Sequence, residues 1–395
     1  MTKVLALRER GQGEGYPRGD ALLAAARAAG CEVTELAIDV PASGRAKQRI
    51  AKSPWTWPGF FVRLLAARRR AVRAIRREVE HQSPDMVLVL YPGHAIVRWA
   101  RKAFSGRIVL DLFLSAHDTV VLDHQRFHPK SPFAAWLKHM DVRACAAADL
   151  VLLDTKAHAE RIAALTGSSR ERFDHVPVSD VDSPKQASPY QAQRPGEKLE
   201  VLFFGTGVPL HGLSTLLSAV ERVPGVRLTL VGGTSEDRER AARLPAGRIR
   251  LLGPFLGRSR LDELIMGAHL VAGVFGTSLK ADLVVPLKVM HALSHGRPVL
   301  TGDSTAVRQL MTVGVDVLVT ERGDAMGLAD CLASLLGDPG RLSAMAKAAR
   351  ARYETTFSIA ATAQRFCAAL EARFSDVRLR RPVAATLVLE PALVP

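Results

Sequence analysis

Cysteine is scarce in this sequence and never occurs in closely spaced pairs. The four cysteines, Cys31, Cys145, Cys331 and Cys367, lie far apart, and none belongs to a Cys-x-x-Cys motif. Zinc sites and disulfide frameworks need thiols at short or regular spacing, so the sequence predicts neither. We expect buried free thiols, as in a reducing cytoplasm.

Long apolar runs are also missing. No stretch of about 18 uncharged apolar residues occurs, so a membrane-spanning helix is not predicted. The N-terminal residues MTKVLALRERGQGEG become charged and glycine-rich after one short apolar run, unlike a secretory signal. The predicted location is the cytoplasm, where the protein can contact the inner face of the cytoplasmic membrane without spanning it.

Length and positive charge are what the sequence has in excess. A chain of 395 residues exceeds the roughly 250–300 residues that one core accommodates, so we expect two domains. The balance of 48% apolar and 24% charged residues is that of a globular protein. Of the net charge of +15, much comes from the segment 44–77, which has eleven basic residues and no acidic one.

Short apolar runs alternate with longer stretches of helical period, which is typical of βαβ units around a parallel sheet. The sequence therefore predicts an α/β protein with two Rossmann-like, doubly wound parallel-sheet domains. The strand candidates of the first half are Val4–Leu7, Val33–Ile38, Met86–Leu90, Ile108–Leu112, Leu150–Leu153 and His175–Val178. Those of the second half are Val201–Phe204, Val226–Val231, Ile249–Leu252, Leu270–Val274, Pro298–Thr301 and Val317–Val319.

A polar segment with three prolines, residues 179–198, separates the two halves. We expect an N-terminal acceptor-binding domain over 1–185, a linker over 186–198 and a C-terminal domain over 199–357. A predicted helix over 358–374 can pack back on the first domain, and 375–395 form a tail. Open α/β sheets bind ligands at the carboxyl ends of their strands, so the cleft between the domains is the predicted site.

Two loops of the second half carry the chemical signal. After its first strand, the chain reads FFGTGVPLHG and enters a helix. Such a glycine-rich turn lets backbone N–H groups approach a phosphate, although it can also be a simple tight turn. Farther along, Pro286 marks a helix start with Lys288 in the first turn and Lys280 in the preceding loop. Two lysines near a positive helix end predict a diphosphate site, the alternative being solvated surface lysines.

Together these segments resemble a GT-B glycosyltransferase of glycosyltransferase family 4. Members commonly have GR, four residues and KG in the first segment, where this chain has Gly205-Thr206 and His211-Gly212. They commonly have P-x-K-x-x-E-A-L-A-x-G-x-P-V in the second. There this chain supplies Pro286, Lys288, Ala292, Leu293, Gly296, Pro298 and Val299. The resemblance extends over about 350 residues and is most specific between residues 200 and 300.

The resemblance implies the GT-B fold, with two domains facing across a cleft, and a nucleotide-sugar donor held by the second domain. The implied donor-binding residues are Gly205, Thr206, Gly207, His211, Gly212, Lys280, Pro286, Leu287, Lys288 and His291. Family members often carry two glutamates with seven residues between them, whereas this chain has Leu283, next to Asp282, and His291. Thr206 and His211 also replace the usual arginine and lysine. Lys280, Lys288 and backbone amides then supply most of the phosphate binding.

Two histidines of the second half have alternative interpretations. A protonated His211 can assist in binding phosphate, and His291 can bond a ribose hydroxyl. Both can equally be ordinary, partly buried histidines.

The first half contributes the remaining site candidates. Its glycine-rich loop over 9–19 faces the acceptor or the donor phosphates in the resemblance, and His94 ends the loop after the third strand. The acceptor-binding candidates are Gly13, Gly15, Tyr16, Arg18 and His94. In family 4 a histidine in a loop comparable to that of His117 contacts the transferred sugar. We therefore predict catalytic roles for His117, Asp118 and Lys288, with a loop-capping aspartate beside an uninvolved histidine as the alternative for the first two.

The predicted function is transfer of a sugar from a nucleoside diphosphate sugar to an acceptor hydroxyl. The acceptor is a glycan, a lipid-linked saccharide or a small-molecule glycoside. Family resemblance implies retention at the anomeric carbon, and the fixed lysines can meet the leaving diphosphate without a metal. No cofactor beyond the donor is predicted, and Asp180-Val181-Asp182, which fits a metal-binding DxD pattern, is expected to be solvated in the linker. Nucleic acid is not a predicted partner, because no recognised module occurs.

Two other function classes are left open. One is a non-catalytic GT-B-like protein that binds nucleotide sugars, for which the missing glutamate pair is the best support. The other is an NAD-dependent oxidoreductase that uses the GxGxG core of the first loop, with Glu35 or Asp39 on the ribose. No GxGxxG is completed there, which weighs against it.

The arginine-rich stretch over 55–80 has helical period, with its apolar residues mostly on one stripe. Such a helix covers the first sheet, or lies on an anionic membrane with Trp55, Trp57, Phe60 and Phe61 inserted. The two are compatible, and peripheral membrane contact through 55–77 is the predicted additional interaction.

Overall fold

The computed structural model describes residues 1–11, 17–41 and 57–382. The described residues form two units, each built on a six-stranded parallel sheet. The first unit comprises Met1–Val121, Arg126–Val176 and Ala363–Pro382, and the second contains Leu122–Gln125 and Pro177–Thr362. The predicted pair of doubly wound domains is thus confirmed.

The first sheet has the strand order β2-β1-β3-β4-β5-β6. Its strands are β1 (Lys3–Glu9), β2 (Glu32–Ile38), β3 (Met86–Val89), β4 (Arg107–Asp111), β5 (Leu150–Leu153) and β6 (Phe173–His175). The helices of this unit are α1 (Arg18–Ala28), α2 (Trp57–Gln82), α3 (Ile96–Ala103), α4 (Pro132–Ala146) and α5 (Lys156–Thr166). A π-helical turn spans Asp118–Asp123, and a 3-10 turn spans Arg170–Arg172.

Helices cover both faces of this sheet, as expected for strands that are apolar throughout. Helices α2 to α5 pack side by side on one face, where residues such as Ile75 and Ile162 form a common core with the strands. Helix α1 covers the other face together with the last helix of the chain, whose Phe366 and Leu370 pack against Val4 and Leu88.

The second sheet has the order β12-β11-β10-β7-β8-β9. Its strands are β7 (Leu199–Gly205), β8 (Val226–Gly232), β9 (Ile249–Leu251), β10 (Leu270–Ala272), β11 (Val299–Gly302) and β12 (Leu318–Thr320). The helices are α6 (Leu213–Arg222), α7 (Ser235–Ala242), α8 (Arg258–Met266), α9 (Leu279–Leu283), α10 (Leu287–Ser294), α11 (Thr305–Leu310), α12 (Ala325–Leu336) and α13 (Pro339–Arg352). Pro209–His211 form a 3-10 turn, Tyr353–Phe357 a π-helical turn and Ile359–Arg373 helix α14.

The central strand β7 shows why this sheet is buried on both sides. Val201 and Phe203 point into one core cluster, whereas Leu202 and Phe204 belong to the cluster on the opposite face. In register with β8, the strand ends at the pair Gly205 and Gly232. The loops at this carboxyl edge hold most of the residues that the sequence singled out.

Two sequence-based details differ in the structure. The sixth strand covers Phe173–His175 rather than 175–178, because Val176 and Val178 are buried in the chain that leaves the sheet. The sequence predicts that Asp180 is solvated in the linker. In the structure Asp180 is instead buried, and it pairs with Arg258 and His291. Among the helices of the described segments, none has both the length and the apolar character needed to cross a bilayer.

Candidate active site

The glycine-rich loop after β7 is closely packed at both of its ends. A Cβ at Gly205, which has φ +150°, would lie 2.7 Å from His211 Cε1 and 3.1 Å from Lys288 Nζ. Gly212, the N-cap of α6, has φ +57°, and a Cβ there would lie 2.4 Å from the backbone of Phe275 and Gly276. The loop therefore needs glycine at these two positions. Its backbone passes close to Lys288 at Gly205 and close to the segment after β10 at Gly212.

Lys288 is the most unusual residue of this region. It follows Pro286, the N-cap of α10, and its side chain is buried with Nζ 3.6 Å from the centroid of the Phe203 ring. Within the described structure, Nζ has no hydrogen-bond partner. Burial lowers the pKa of Lys288 well below 10.5, because no carboxylate compensates the charge.

His211 lies next to Lys288 and is equally buried. Its ring packs edge-on against Phe203 at 5.6 Å, and Nδ1 has no hydrogen-bond partner among the described residues. Burial, followed by the charges of Lys288 and Lys280, lowers the pKa of His211 to about 2. A neutral imidazole is therefore favoured in this structure, so a protonated His211 that assists phosphate binding stays a prediction.

The charge of Lys280 also lowers the pKa of His211, but this charge is partly compensated by a nearby carboxylate. It lies in α9, and its Nζ is 3.7 Å from Oδ2 of the buried Asp123. Asp123 also accepts a hydrogen bond of 3.1 Å from the Ser278 hydroxyl. Of the two lysines, Lys288 thus has the less compensated charge.

His291, a largely buried residue of α10, is held by a neighbour that the sequence did not indicate. Its Nε2 lies 3.0 Å from Asp180 Oδ2, and its ring stacks on Phe204 at 6.4 Å. Arg258 also pairs with Asp180 at 2.6 Å. Since Asp180 occupies Nε2, any hydrogen bond to a ribose hydroxyl has to use Nδ1.

The remaining donor-site candidates occupy the same carboxyl edge. Thr206 and Gly207 continue the loop after Gly205, and Leu287 is the first residue of α10. Near α9, a polar cavity of about 610 Å³ is lined by Thr277, Asp282, Asp303, Ser304, Thr305, Arg308, Glu321 and Arg322. Asp282 pairs with Arg322 at 3.1 Å and accepts hydrogen bonds from the backbone N–H and the hydroxyl of Thr305. Its carboxylate therefore holds two residues of the cavity wall together.

In the first unit, His117 and Asp118 form a direct pair after β4. His117 Nδ1 lies 2.8 Å from Asp118 Oδ1, so Nδ1 donates to the carboxylate and Nε2 lies on the opposite side of the ring. Arg161 of α5 engages both oxygens of Asp118, at 2.9 and 3.2 Å. The two carboxylate oxygens of Asp118 are therefore both engaged, by His117 and by Arg161.

The loop that carries His117 is fixed by Asp141, which the sequence analysis missed. This buried aspartate of α4 accepts hydrogen bonds from the Ser115 hydroxyl at 2.7 Å and from the backbone N–H groups of Ala116 and His117 at 3.0 Å. His94 Nε2 donates to it at 3.0 Å. Burial opposes ionisation of Asp141, but these bonds hold its pKa below the usual range. A carboxylate inside a helix gives no sequence signal of such a role.

Arg18 does not fit the predicted acceptor-binding role. Its side chain is 3% exposed, and its Nε pairs with the buried Asp111 at 2.8 Å. Its terminal nitrogens donate to the carbonyls of Val176 and Leu153. All donors point inward because the start of α1 is covered by the sheet, so Arg18 supports the fold. Gly13, Gly15 and Tyr16 lie outside the described residues.

No group of three or more His, Cys, Asp or Glu side chains suited to a metal ion occurs in the segments 1–11, 17–41 and 57–382. The four cysteines are free, and three of them are buried.

Comparison with known proteins adds to this geometry. Residues 198–338 match the family model of glycosyl transferases group 1. A D-inositol 3-phosphate glycosyltransferase of Xylanimonas cellulosilytica is 30% identical over 52% of this chain and 53% of its own length. Another with that name, from Nocardia farcinica, is 32% identical over 55% of this chain and 51% of its own length. The chain spans about half the length of the curated relatives it matches.

Solved structures agree over almost the whole chain. Anabaena HepE in complex with UDP-glucose has a TM-score of 0.63 at 18% identity, over 94% of this chain and 100% of that one. Sucrose-phosphate synthase of Thermosynechococcus elongatus has a TM-score of 0.67 at 14% identity, over 95% and 100%. At such identities the likeness concerns the fold. The resemblance inferred from the sequence is therefore confirmed: this chain has the GT-B fold, and residues 198–338 match the glycosyl transferases group 1 family.

Proposed function

We propose that this protein transfers a sugar from a nucleoside diphosphate sugar to an acceptor hydroxyl. The observation that carries the proposal is Lys288, whose buried amino group lies against the Gly205 loop and has no hydrogen-bond partner among the described residues. Burial disfavours the charged form of this amino group, and a bound anion would stabilise that form. A diphosphate at this loop would also accept hydrogen bonds from backbone N–H groups at the start of α6.

The same arrangement supports departure of the diphosphate. Negative charge grows on the leaving group as the glycosidic bond breaks, and pre-placed positive charge stabilises it most strongly in a water-poor site. Lys288 would supply that charge, with Lys280 as the second cation and neutral His211 as a hydrogen-bonding partner. In this proposal the reaction is metal-independent and retains the anomeric configuration, as the similarity to family 4 implies.

The acceptor side rests on the ordered loop of the first unit. His117 would contact the transferred sugar through Nε2, because Asp118 and Arg161 fix the opposite side of its ring. The relatives named for inositol 3-phosphate and for lipopolysaccharide core biosynthesis support a hydroxyl-bearing acceptor such as a glycan, a lipid-linked saccharide or a small-molecule glycoside.

For the cellular location, we propose the cytoplasm, with peripheral contact at the inner face of the cytoplasmic membrane. Eleven basic residues without an acidic one between 44 and 77 support attraction to anionic lipid. The four aromatic side chains at 55–61 are not among those that the structure describes.

A panel of UDP-, GDP- and dTDP-sugars tests the proposed function against the two other classes. We expect one donor to raise the melting temperature and to release nucleotide when an acceptor is present. A thermal shift without nucleotide release would favour a non-catalytic binding protein. Stabilisation by NAD alone would favour the oxidoreductase, and either of these two results would contradict glycosyl transfer.

A further inference from the structure

Three arginines lie on three neighbouring helices of the first unit, close enough for their charges to interact. Arg68 lies in α2, Arg98 in α3 and Arg143 in α4, and these helices pack side by side. Desolvation, followed by the charges of Arg143 and Arg68, lowers the pKa of Arg98. None of the three forms an ion pair with any described carboxylate. This positive cluster is therefore not compensated by any carboxylate within residues 1–11, 17–41 and 57–382.

A row of aromatic rings lies on the same helix layer. Phe127, Phe133 and Trp136 are 41%, 40% and 52% exposed. The centroids of the first two rings are 4.3 Å apart, and those of Phe133 and Trp136 are 5.2 Å apart. Three adjacent aromatic side chains exposed to this extent indicate an interaction surface rather than scattered surface residues.

The two features form one surface along α4. Trp136 and Arg143 are seven residues apart, which is about two helical turns, so they lie on the same side of the helix. Phe133, three residues before Trp136, belongs to the same stripe. The sequence over 124–140 has Arg126, Lys130 and Lys138 and no acidic residue. We call Arg68, Arg98, Arg143, Phe127, Phe133 and Trp136 the arginine–aromatic surface.

We propose that the arginine–aromatic surface binds an anionic lipid membrane, with the arginines contacting lipid phosphates and the aromatic rings entering the interfacial region. The chemistry is complementary on both counts. Guanidinium groups bind phosphate in bidentate fashion, and aromatic side chains are favoured at the boundary between headgroups and acyl chains. This inference does not depend on glycosyl transfer, and it adds α3 and α4 to the membrane contact proposed for 55–77.

The ring geometry favours lipid over a saccharide chain. Sugar rings stack on flat, accessible aromatic faces, but these rings are tilted against one another by 42° and 31° and partly cover each other's faces. Together the three exposed rings form one apolar patch. The arginines are spread over three helices, which suits several headgroups better than one small anion.

The test measures co-sedimentation of the full chain with phosphatidylcholine vesicles, with and without phosphatidylglycerol, at low salt. The variant Arg68→Gln/Arg98→Gln/Arg143→Gln should bind the anionic vesicles roughly 100-fold more weakly, as three lost surface cations predict. The matched control Arg222→Gln/Arg243→Gln/Arg250→Gln removes the same charge from exposed positions of the second unit. It should change affinity less than about threefold. Circular dichroism melting confirms that both variants are folded.

Insertion is read from tryptophan fluorescence in a Trp55→Phe/Trp57→Phe background, which leaves Trp136 and the buried Trp99. Acyl-brominated phosphatidylglycerol should quench the emission, and the further change Trp136→Phe should remove that quenching. Equal loss of vesicle binding in the two arginine variants, or absence of quenching, would overturn the proposal. Binding to a duplex oligonucleotide that is tighter than binding to anionic vesicles would overturn it as well.

Discussion

At the residue scale, the binding role proposed for Lys288 conflicts with stability. An aliphatic side chain in its position would pack on Phe203 without burying a polar atom, whereas the lysine buries an amino group with no hydrogen-bond partner in the described structure. Such a group persists at a cost that only a ligand offsets.

The variant Lys288→Met should therefore gain stability and lose function. We expect its free energy of unfolding to rise by about 1–2 kcal/mol, because a buried polar group without a partner is removed. Sugar transfer should fall by at least about 100-fold, since the leaving diphosphate loses its buried cation. Urea unfolding and nucleotide-release assays measure the two effects.

The comparison variant is Lys280→Met, which leaves the buried Asp123 without its ion-pair partner and should lower stability. A destabilised Lys288→Met protein, or one with near-normal transfer, would contradict the role given to Lys288.

Asp141 is the residue whose role only the structure revealed, and it acts through others. In the variant Asp141→Asn the bonds to the His117 loop and to His94 are weakened, so His117 loses its fixed position. We expect kcat to fall by about 10–100-fold with little change in the KM for the donor, since displacing a catalytic group has this effect. Steady-state kinetics with melting curves separates this effect from unfolding, and an equal change in donor KM would contradict positioning.

At the scale of elements, the apolar runs predicted the strands because each strand is buried on both faces and must be apolar throughout. The apolar run at 175–178 wrongly predicted a strand, because Val176 and Val178 are as apolar as strand residues but are buried in the loop after β6. The polar segment after it misled in the opposite direction. Asp180 is buried because it packs against His291 of α10 and Arg258 of α8. Both residues lie far from Asp180 in the sequence, so the local pattern did not indicate its burial.

The Asp180 contacts predict a loss of stability in acid. Burial alone would raise the pKa of Asp180, but bonds from His291, the Asp182 N–H and Arg258 hold it well below its usual range. Its contribution is therefore fully present above the unfolded pKa of about 4 and is lost as pH falls below that value.

We expect Asp180→Asn to have a lower melting temperature at pH 7 and a shallower decline below pH about 4. Asp330→Asn, which changes an exposed carboxylate, should follow the wild type at all pH values. Parallel declines for Asp180→Asn and the wild type below pH 4 would contradict this assignment.

At the scale of the whole molecule, the excess positive charge is concentrated in the first half. The acid-free segments 44–77 and 124–140 contribute many cations, whereas the site lysines contribute two. The net charge therefore concerns attraction to other surfaces more than chemistry.

This distribution predicts a strong salt dependence of membrane binding. The affinity for phosphatidylglycerol-containing vesicles should fall by more than about tenfold as salt rises from about 0.05 to 0.3 M, because the exposed cations are screened. Co-sedimentation over a salt series measures it, with pure phosphatidylcholine vesicles as the control. Salt-independent binding would indicate that apolar insertion dominates.

The sequence by itself determined the two parallel sheets, the glycine-rich loop and the position of Lys288 at the start of a helix. Each follows from local patterns: apolar runs, glycine where backbone must pass closely, and proline before a helix. Tertiary structure alone decided which charged side chains have an ion-pair or hydrogen-bond partner. Lys288 is buried without a hydrogen-bond partner among the described residues, Asp118 is bound by Arg161, Arg18 faces inward and Asp141 fixes the His117 loop. These outcomes depend on residues distant in the chain, and burial sets the energy of a charge only once those residues are in place.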